Sequence, residues 1–252
     1  MFGLITGRGF YDIPDLEQRT ASTVDTPFGP ATVTTGSWRG RPIAFVPRRG
    51  SPHRVPPARI NYRAIGWALR AQGVDSVLAT AVSGALDPSF ELGTLVVISD
   101  VLNFTTGRHD TFFDGDHEPF EPGRHHVDMT HPYSPELRAH LAAAAEVEGI
   151  AVVDGGVYCT TNGPRFETPA EIRMLRRLGG DLVGRTGYPE VVLAVEAGLR
   201  YASIGIVSNP AAGLGDEPLS ADDIFGMIDR VTEPLHRLID RTITLATTAG
   251  PT

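Results

Sequence analysis

The largest group of possible ligand side chains lies in the irregular stretch 105–135, which holds five of the eight histidines. The group comprises His109, His117, His125, His126 and His131, together with the aspartates Asp114, Asp116 and Asp128. Imidazole and carboxylate groups can together hold zinc or a similar ion. Their spacing matches no established zinc pattern, and no His-x-x-x-His pair falls on a predicted helix. We therefore predict solvated or hydrogen-bonded loop histidines and no metal site.

Three further motifs could carry chemistry, and each is incomplete. Gly7-Arg8-Gly9 follows an apolar run, but Asp12 stands where a dinucleotide-binding turn needs its third glycine, which leaves a plain turn or an anion-binding nest. Ser83 lacks a G-x-S-x-G elbow and an accompanying acid and base. Cys159 lies in an apolar run, which favours packing over reactivity.

Composition and charge exclude several classes of protein. The 252 residues are 41% hydrophobic and 21% charged, which indicates one large folded domain over 1–252, with a disordered tail in the final few residues. The net charge of -8 disfavours nucleic acid and anionic lipid as partners. A single cysteine cannot form an internal disulfide, no secretion signal is recognisable, and no apolar stretch reaches about 20 residues. We expect a cytoplasmic protein without a membrane span.

Short apolar runs predict strands, and amphipathic runs between them predict helices. The predicted strands cover residues 2–5, 31–35, 42–46, 76–81, 94–98, 151–158 and 202–207. The predicted helices cover residues 57–72, 134–148, 168–178 and 189–197, and a final helix begins at Ser220 with a kink at Pro234. Most strands are apolar throughout, so helices must cover both faces of their sheet. An α/β fold follows.

Five sequence blocks occur in a distinctive order along the chain. They are Arg-Arg-Gly-x-x-His at 48–53, Asn-Tyr-Arg-Ala at 61–64, Thr-Ala-Val-Ser-Gly-Ala-Leu at 80–86, Asn-Gly-Pro-Arg-Phe-Glu-Thr-Pro-Ala-Glu at 162–171, and Gly-Tyr-Pro-Glu at 187–190. From about residue 3 to the final helix, the chain resembles the trimeric purine nucleoside phosphorylases and the related 5'-methylthioadenosine and 5'-methylthioinosine phosphorylases. The block at 162–171 is the most distinctive.

The resemblance implies a pentosyltransferase of purine salvage. Its expected fold is a single α/β domain around a central mixed sheet flanked by helices. Its expected assembly is a homotrimer with active sites at subunit boundaries. These enzymes cleave a purine from ribose with inorganic phosphate as the nucleophile, so the resemblance implies phosphate as co-substrate and no metal or organic cofactor.

The resemblance also assigns the purine-binding residues. Asn209 falls where the family places its purine-recognising side chain, and an amide there can bond both O6 and N7 of a 6-oxopurine. Phe166 matches the aromatic ring that lies against the base. Asn162 occupies a position usually held by a glutamate that binds purine N1 and the guanine amino group, so a neutral residue there weakens the case for guanine.

Three other positions bear on the 5' end of the sugar. Ile224 stands where nucleoside phosphorylases place a histidine for the 5'-hydroxyl, and Ala221 is its partner. His126 matches a residue that the neighbouring subunit contributes near this pocket. An apolar wall would leave a hydroxyl unpaired but would accept a methylthio group, which favours 5'-methylthioinosine as a substrate.

The phosphate site departs from the family pattern. Arg48 and Thr186 match residues that contact phosphate in the family. The resemblance implies that Arg48 and Asn209 are the catalytic residues. Arg8 replaces a threonine or serine, Arg49 replaces a histidine, and Arg185 replaces the methionine beneath the ribose. Up to four guanidinium groups are thus predicted around one site, where like charges about 4 Å apart repel by roughly 4 kcal/mol at an effective dielectric near 20.

Three explanations of the arginine excess remain open. One is a working phosphorylase with a rearranged phosphate site, another is a site for a larger or second anion such as a nucleotide phosphate, and the third is a homologue with impaired catalysis. A hydrolase that uses water lacks a clear base in this sequence. The predicted function is phosphorolysis of a purine nucleoside, and the alternative is a divergent homologue that binds a nucleotide or another multiply charged anion.

Overall fold

The computed structural model describes residues 1–7, 10, 13, 15–50, 54–117, 120, 126–215 and 221–248, with only the backbone at 221–225. Its strands are β1 (Phe2–Thr6), β2 (Leu16–Val24), β3 (Ala31–Trp38), β4 (Arg41–Pro47), β5 (Ser76–Ala85), β6 (Leu95–Phe104), β7 (Val152–Thr161), β8 (Leu182–Gly184) and β9 (Arg200–Pro210). Its helices are a 3₁₀ turn (Pro57–Arg59), α1 (Tyr62–Ala71), α2 (Pro135–Glu148), α3 (Pro169–Arg177), α4 (Glu190–Glu196) and α5 (Ala221–Thr248).

The described strands form one nine-stranded mixed sheet in the order β2-β3-β4-β1-β5-β8-β7-β6-β9. An additional parallel pairing joins β9 back to β5, so five strands close into a ring. The strands β1, β4, β5 and β9 run parallel through their shared pairings, and their carboxyl ends therefore meet at one edge. The predicted α/β class with a central mixed sheet is confirmed, and the closure of the ring is an addition to it.

Helices cover both faces of the sheet. On one face, α2 and α5 pack through buried residues such as Leu141 and Leu235 against strand residues such as Leu4 and Ile204. On the other face, α1 and α4 belong to a cluster that includes Leu69. Burying the strands on both faces explains why they read as continuous apolar runs.

Local sequence fixes where the helices begin. The Asn61 side chain accepts a hydrogen bond from the Ala64 amide and caps α1, and Ser134 caps α2 in the same way. Thr168 and Glu171 form a reciprocal capping box at α3.

All seven predicted strands are present, and two strands were not predicted. The side chains of β2 are mostly exposed, so the strand carries no apolar pattern, and β8 has only three residues. The helix predicted over 57–72 was wrong at its start, because a 3₁₀ turn precedes α1 and Asn61 caps the helix that follows. Pro234 lies inside α5, while the predicted start at Ser220 and the Arg8-Gly9 turn lie outside the described residues. None of the described helices is long and apolar enough to cross a membrane.

The single cysteine provides a test of the packing. Cys159 is fully buried in β7, and burial, with a further contribution from Asp181, raises the pKa of its thiol to about 12. Because the thiolate is the reactive species, we expect a disulfide reagent at pH 8 to leave the native protein unmodified. The measurement is the amount of thiol that the reagent releases on reaction with the native protein in buffer, and the urea-denatured protein is the control. Equal reaction rates in the native and denatured samples would contradict the buried position.

Candidate active site

A cavity of about 350 Å³ opens at the edge where the parallel strands end. Its lining combines residues that follow β1, β4, β7 and β8 with residues at the ends of β5 and β9: Gly7, Arg48, Arg49, Ser83, Gly84, Phe166, Glu167, Arg185, Thr186, Ser208 and Asn209. The volume falls within the range of small-molecule sites, and the carboxyl edge of an α/β sheet is where such sites form. Segments far apart in sequence therefore meet at one pocket.

A buried ion pair lies at one side of this cavity. Arg48 is 4% exposed, and its Nε and Nη2 each donate to a different oxygen of Glu190 at 2.7 Å. The Tyr201 hydroxyl donates to the same carboxylate at 2.7 Å. Arg48 Nη1 donates to the Thr80 carbonyl at 2.6 Å, and Nη2 lies 3.4 Å from the Ile5 carbonyl. Of the five guanidinium hydrogens, these bonds leave one on Nη1.

The partner carboxylate compensates the buried charge of Arg48. Burial by itself lowers the pKa of the guanidinium, but the adjacent Glu190 carboxylate more than offsets this, so the pKa is raised. Removing the carboxylate would leave an uncompensated buried charge. The guanidinium of Arg48 therefore makes most of its hydrogen bonds within the protein. Only one hydrogen, on Nη1, remains for a ligand.

Two of the other predicted phosphate ligands lie at the same cavity. Arg49 and Thr186 both line it, and Arg49 Nε donates to the Val55 carbonyl at 2.7 Å. Arg8 lies outside the described residues. Three of the four arginines predicted around one site, Arg48, Arg49 and Arg185, line this cavity. Arg48 and Arg185 each face a carboxylate, which offsets their charge.

Arg185 and Phe166 form one stacked unit at the cavity. The Arg185 guanidinium lies 4.7 Å from the centre of the Phe166 ring, within cation–π distance. Its Nη2 donates to the Arg165 carbonyl at 2.7 Å and lies 3.6 Å from a Glu167 oxygen. Phe166 is still 69% exposed. The guanidinium thus covers part of the ring, and most of the aromatic surface remains accessible.

Asn162 lies away from this cavity. It lines a neighbouring cavity of about 320 Å³ and exchanges hydrogen bonds with Thr106 through both ends of its amide. Gly163, with a φ of +65°, follows it, and a Cβ at that glycine would stand 2.5 Å from Arg185 Cδ. The Gly163 backbone thus packs closely against Arg185, which lines the main cavity. The acidic side chain in the main cavity is Glu167, which is 8% exposed and accepts a 2.6 Å hydrogen bond from Thr161.

Asn209 lies at the end of β9 and lines the cavity. Its Oδ1 accepts a hydrogen bond from the Ser208 hydroxyl at 2.7 Å, and its Nδ2 donates to the Pro210 carbonyl at 2.8 Å. A Cβ on Gly84 would lie 3.3 Å from Nδ2, so glycine at this point lets the amide pass close to the backbone of β5. One amide hydrogen and one Oδ1 lone pair remain for a ligand.

The residues predicted for the 5' end are not brought to the cavity by the described contacts. Ala221 and Ile224 lie in the first turn of α5, where only the backbone is described. His126 is exposed and does not line the cavity. In the histidine-rich stretch, His117 bonds to Asp114 at 2.9 Å, and among the described residues no group of three or more ligand side chains could hold a metal ion.

Sequence reasoning missed the supports of the cavity. Glu190 and Glu167 both lie within the quoted blocks, but Arg48, the partner of Glu190, is 142 positions away and gave no signal. Arg108 was also missed, and it donates to the backbone carbonyls of Thr161, Asn162, Arg185 and Tyr188. These bonds join residues 105–110 to the segments on either side of Thr186. A positive residue in an irregular stretch carried no pattern that could have identified it.

Together, the fold and the cavity define an α/β protein with a cavity that combines cationic, amide and aromatic side chains. The sequence matches the family model described as "Phosphorylase superfamily" over residues 2–244. A protein from Moorella thermoacetica, named a probable 6-oxopurine nucleoside phosphorylase, is 47% identical over 95% of this chain and 91% of its own length. A probable S-methyl-5'-thioinosine phosphorylase from Methanopyrus kandleri is 45% identical over 96% of this chain and 91% of its own.

The fold comparison agrees with the sequence comparison. The crystal structure of methylthioadenosine phosphorylase from Schistosoma mansoni in complex with adenine superposes with a TM-score of 0.89 at 31% identity, covering 98% of this chain and 92% of the other. The chain belongs to the phosphorylase superfamily. The resemblance drawn from the five sequence blocks is confirmed.

The buried ion pair makes a prediction about stability. Replacing Glu190 with glutamine leaves the Arg48 charge buried without its partner, and we expect the free energy of unfolding to fall by about 3–5 kcal/mol. The matched control is Glu233→Gln, which breaks the exposed Arg237–Glu233 pair in α5 and should cost about 0–1 kcal/mol. Urea denaturation measures both variants. Equal losses would show that the buried pair has no special weight.

Proposed function

We propose that this protein phosphorolyses 6-oxopurine nucleosides, with 5'-methylthioinosine among its substrates. The observation that carries the proposal is the placement of the Asn209 amide in one cavity with Arg48, Arg49 and Thr186. The cavity thus offers an amide to a base and cationic and hydroxyl groups to an anion. The names of the relatives from Moorella thermoacetica and Methanopyrus kandleri support both substrates.

The reaction makes two electrostatic demands on the cavity. As the bond from C1' to purine N9 breaks, its electron pair moves into the base, and the sugar becomes cation-like. A phosphate oxygen then forms the new bond to C1', and the base takes up a proton. Catalysis requires a group that stabilises the charged purine and a held anion beside the sugar. We assign the first role to Asn209.

In this proposal, phosphate is bound by groups on the arginine side of the cavity that are not fully used in hydrogen bonds within the protein. Arg48 contributes its remaining Nη1 hydrogen and its charge, Thr186 contributes a hydroxyl, and Arg49 contributes a second guanidinium. Charge-assisted bonds to an oxyanion are about twice as strong as neutral ones. Arg8 stays a predicted contributor from the turn after β1.

Base binding uses the acidic and aromatic side of the cavity. We assign to Glu167 the role first predicted for Asn162, because its carboxylate lines the main cavity and can accept a hydrogen bond from the N1–H of a 6-oxopurine. Phe166 supplies an exposed ring for stacking, worth about 1–3 kcal/mol per base. Arg185, packed on that ring and beside Glu167, orders this side of the pocket.

The alternative of a nucleotide-binding homologue rested on the excess of arginines. Arg48 and Arg185 each face a carboxylate, so their charges are offset within the protein. We therefore carry only the phosphorylase proposal. Several expectations remain predictions: the homotrimer, with His126 reaching a neighbouring subunit, the apolar 5' wall of Ala221 and Ile224, the cytoplasmic location, the role in purine salvage and the independence from metal or organic cofactors.

The proposed role of Asn209 can be tested by kinetics. We expect purine release from inosine and 5'-methylthioinosine to require inorganic phosphate. Asn209→Ala should lower kcat about 10²- to 10³-fold, because it removes a bond that forms to the developing charge. The control is Asn103→Ala, which changes an exposed asparagine outside the cavity and should leave the rates near those of the wild type. The proposal fails if wild-type protein releases no purine, or if release is independent of phosphate.

A further inference from the structure

Arg108 is a half-buried cation that is held by backbone groups. Burial lowers the pKa of its guanidinium, and among the described residues no carboxylate lies within ion-pair distance of it. The guanidinium instead donates to four backbone carbonyls, those of Thr161, Asn162, Arg185 and Tyr188. A desolvated charge is costly unless it makes such bonds. The four carbonyls belong to two segments that both supply residues to the main cavity, although Arg108 itself does not line it.

Two of the four bonds hold the turn that carries Thr186. Nη1 of Arg108 donates to the Arg185 carbonyl at 2.9 Å and to the Tyr188 carbonyl at 2.5 Å. Because a peptide group is planar, holding the Arg185 oxygen also sets the plane of the peptide that leads into Thr186. Thr186 lies between the two held carbonyls in the sequence, and it lines the cavity. Arg108 therefore restrains the backbone on both sides of this threonine.

The other two bonds reach the base side of the cavity and are longer. Nη2 lies 3.3 Å from the Thr161 carbonyl oxygen and 3.4 Å from that of Asn162, beyond the usual range for an N–H···O bond. The Thr161 hydroxyl donates to the Glu167 carboxylate at 2.6 Å, so this segment supports the residue assigned to the base. Arg108 thus holds the turn with Thr186 more tightly than it holds the base side.

The segment that carries Arg108 is itself firmly anchored. Glu196, which is 6% exposed in the last turn of α4, accepts hydrogen bonds from the Thr111 hydroxyl at 2.8 Å and from the Phe112 amide at 3.0 and 3.1 Å. The Phe112 side chain is fully buried. Asp110 accepts a 2.6 Å hydrogen bond from the Tyr188 hydroxyl. The guanidinium therefore extends from a fixed backbone, as a supporting side chain must.

We propose that Arg108 is a positioning residue that fixes the turn 185–188 so that Thr186 can bind phosphate, and that it supports phosphate binding more than purine binding. The planar guanidinium suits this role because its nitrogens lie in a rigid fork that reaches several carbonyls at once. Arg108 acts through the backbone of the turn and not by contact with the ligand. This inference rests on the proposed function and assigns a support to its phosphate site.

The test compares the two ligands in Arg108→Met, which removes the donors. Calorimetry measures the Kd of inorganic phosphate and of hypoxanthine, and steady-state kinetics measure the KM of phosphate and of inosine. We expect the Kd and KM of phosphate to rise about ten- to hundredfold, the range for one lost hydrogen bond that involves a charged group. The values for hypoxanthine and inosine should change by about twofold or less, because the bonds on the base side are long. Arg108→Lys keeps the charge on one donor atom, so it should weaken phosphate binding to a smaller extent.

Chemical rescue and a matched control separate positioning from general damage. Added guanidinium ion, at concentrations that do not unfold the protein, should restore phosphate binding to Arg108→Ala, because it supplies the same planar fork. Ethylammonium at the same concentration should not restore it. Arg19→Met is the control, since it removes a guanidinium that donates to the Ile13 and Leu16 carbonyls beside β2, outside the cavity lining. It should leave all four constants near those of the wild type. Circular dichroism checks the folding of each variant.

Several outcomes would overturn the inference. Equal weakening of phosphate and hypoxanthine binding would give Arg108 a purely structural role. If Arg108→Met does not fold, Arg108→Lys decides, and wild-type phosphate binding in that variant would show that the fork is not needed. Absence of phosphate-dependent cleavage by the wild type would defeat the proposed function together with this inference. Wild-type cleavage with unchanged phosphate binding in the variants would defeat this inference alone.

Discussion

The ion pair between Arg48 and Glu190 holds several elements of the fold together at the cavity. It joins the end of β4 to the first turn of α4, and its further bonds reach Tyr201 in β9, Thr80 in β5 and Ile5 in β1. These strands carry the residues that surround the ligand cavity. Two desolvated charges at this position are tolerated only because each satisfies the other and the remaining hydrogen bonds are made by neighbouring groups.

This ion pair also lowers the net positive charge that the arginines bring to the cavity. The count of basic residues predicted strong mutual repulsion around one site, but a guanidinium that faces a carboxylate adds little net charge to the cavity. Arg185 follows the same principle with Glu167 and with the ring of Phe166. An arginine at this position is compatible with a base-binding pocket because it packs along the pocket wall.

The pattern of apolar residues within a single segment correctly predicted the strands that are buried in the sheet. The buried strands β1, β4, β5 and β9 are continuous apolar runs, and such runs are visible in the sequence. The exposed strand β2 and the short strand β8 exist because of pairing with distant segments, which no local pattern reports. The closure of β9 onto β5 is a tertiary feature of the same kind.

The site was predictable to the extent that the resemblance to a family assigned its residues. Four of the assigned residues, Arg48, Phe166, Thr186 and Asn209, line one cavity. The resemblance gave Asn162 the place of the acidic base-binding residue, whereas the acidic side chain of the main cavity is Glu167, which also lines the neighbouring cavity beside Asn162. Glu190 gave no signal as the partner of Arg48, since the two residues are 142 positions apart. Pairings over such distances follow from the fold and cannot be read from either segment alone.

The central claim is that phosphate, and not water, takes the sugar from the purine. Phosphorus NMR of the protein incubated with inosine and inorganic phosphate tests it most directly, alongside hypoxanthine measured by absorbance. The account predicts a sugar 1-phosphate resonance that grows in equal amount with hypoxanthine while inorganic phosphate declines. Hypoxanthine released together with free ribose, with no change in inorganic phosphate, would contradict it.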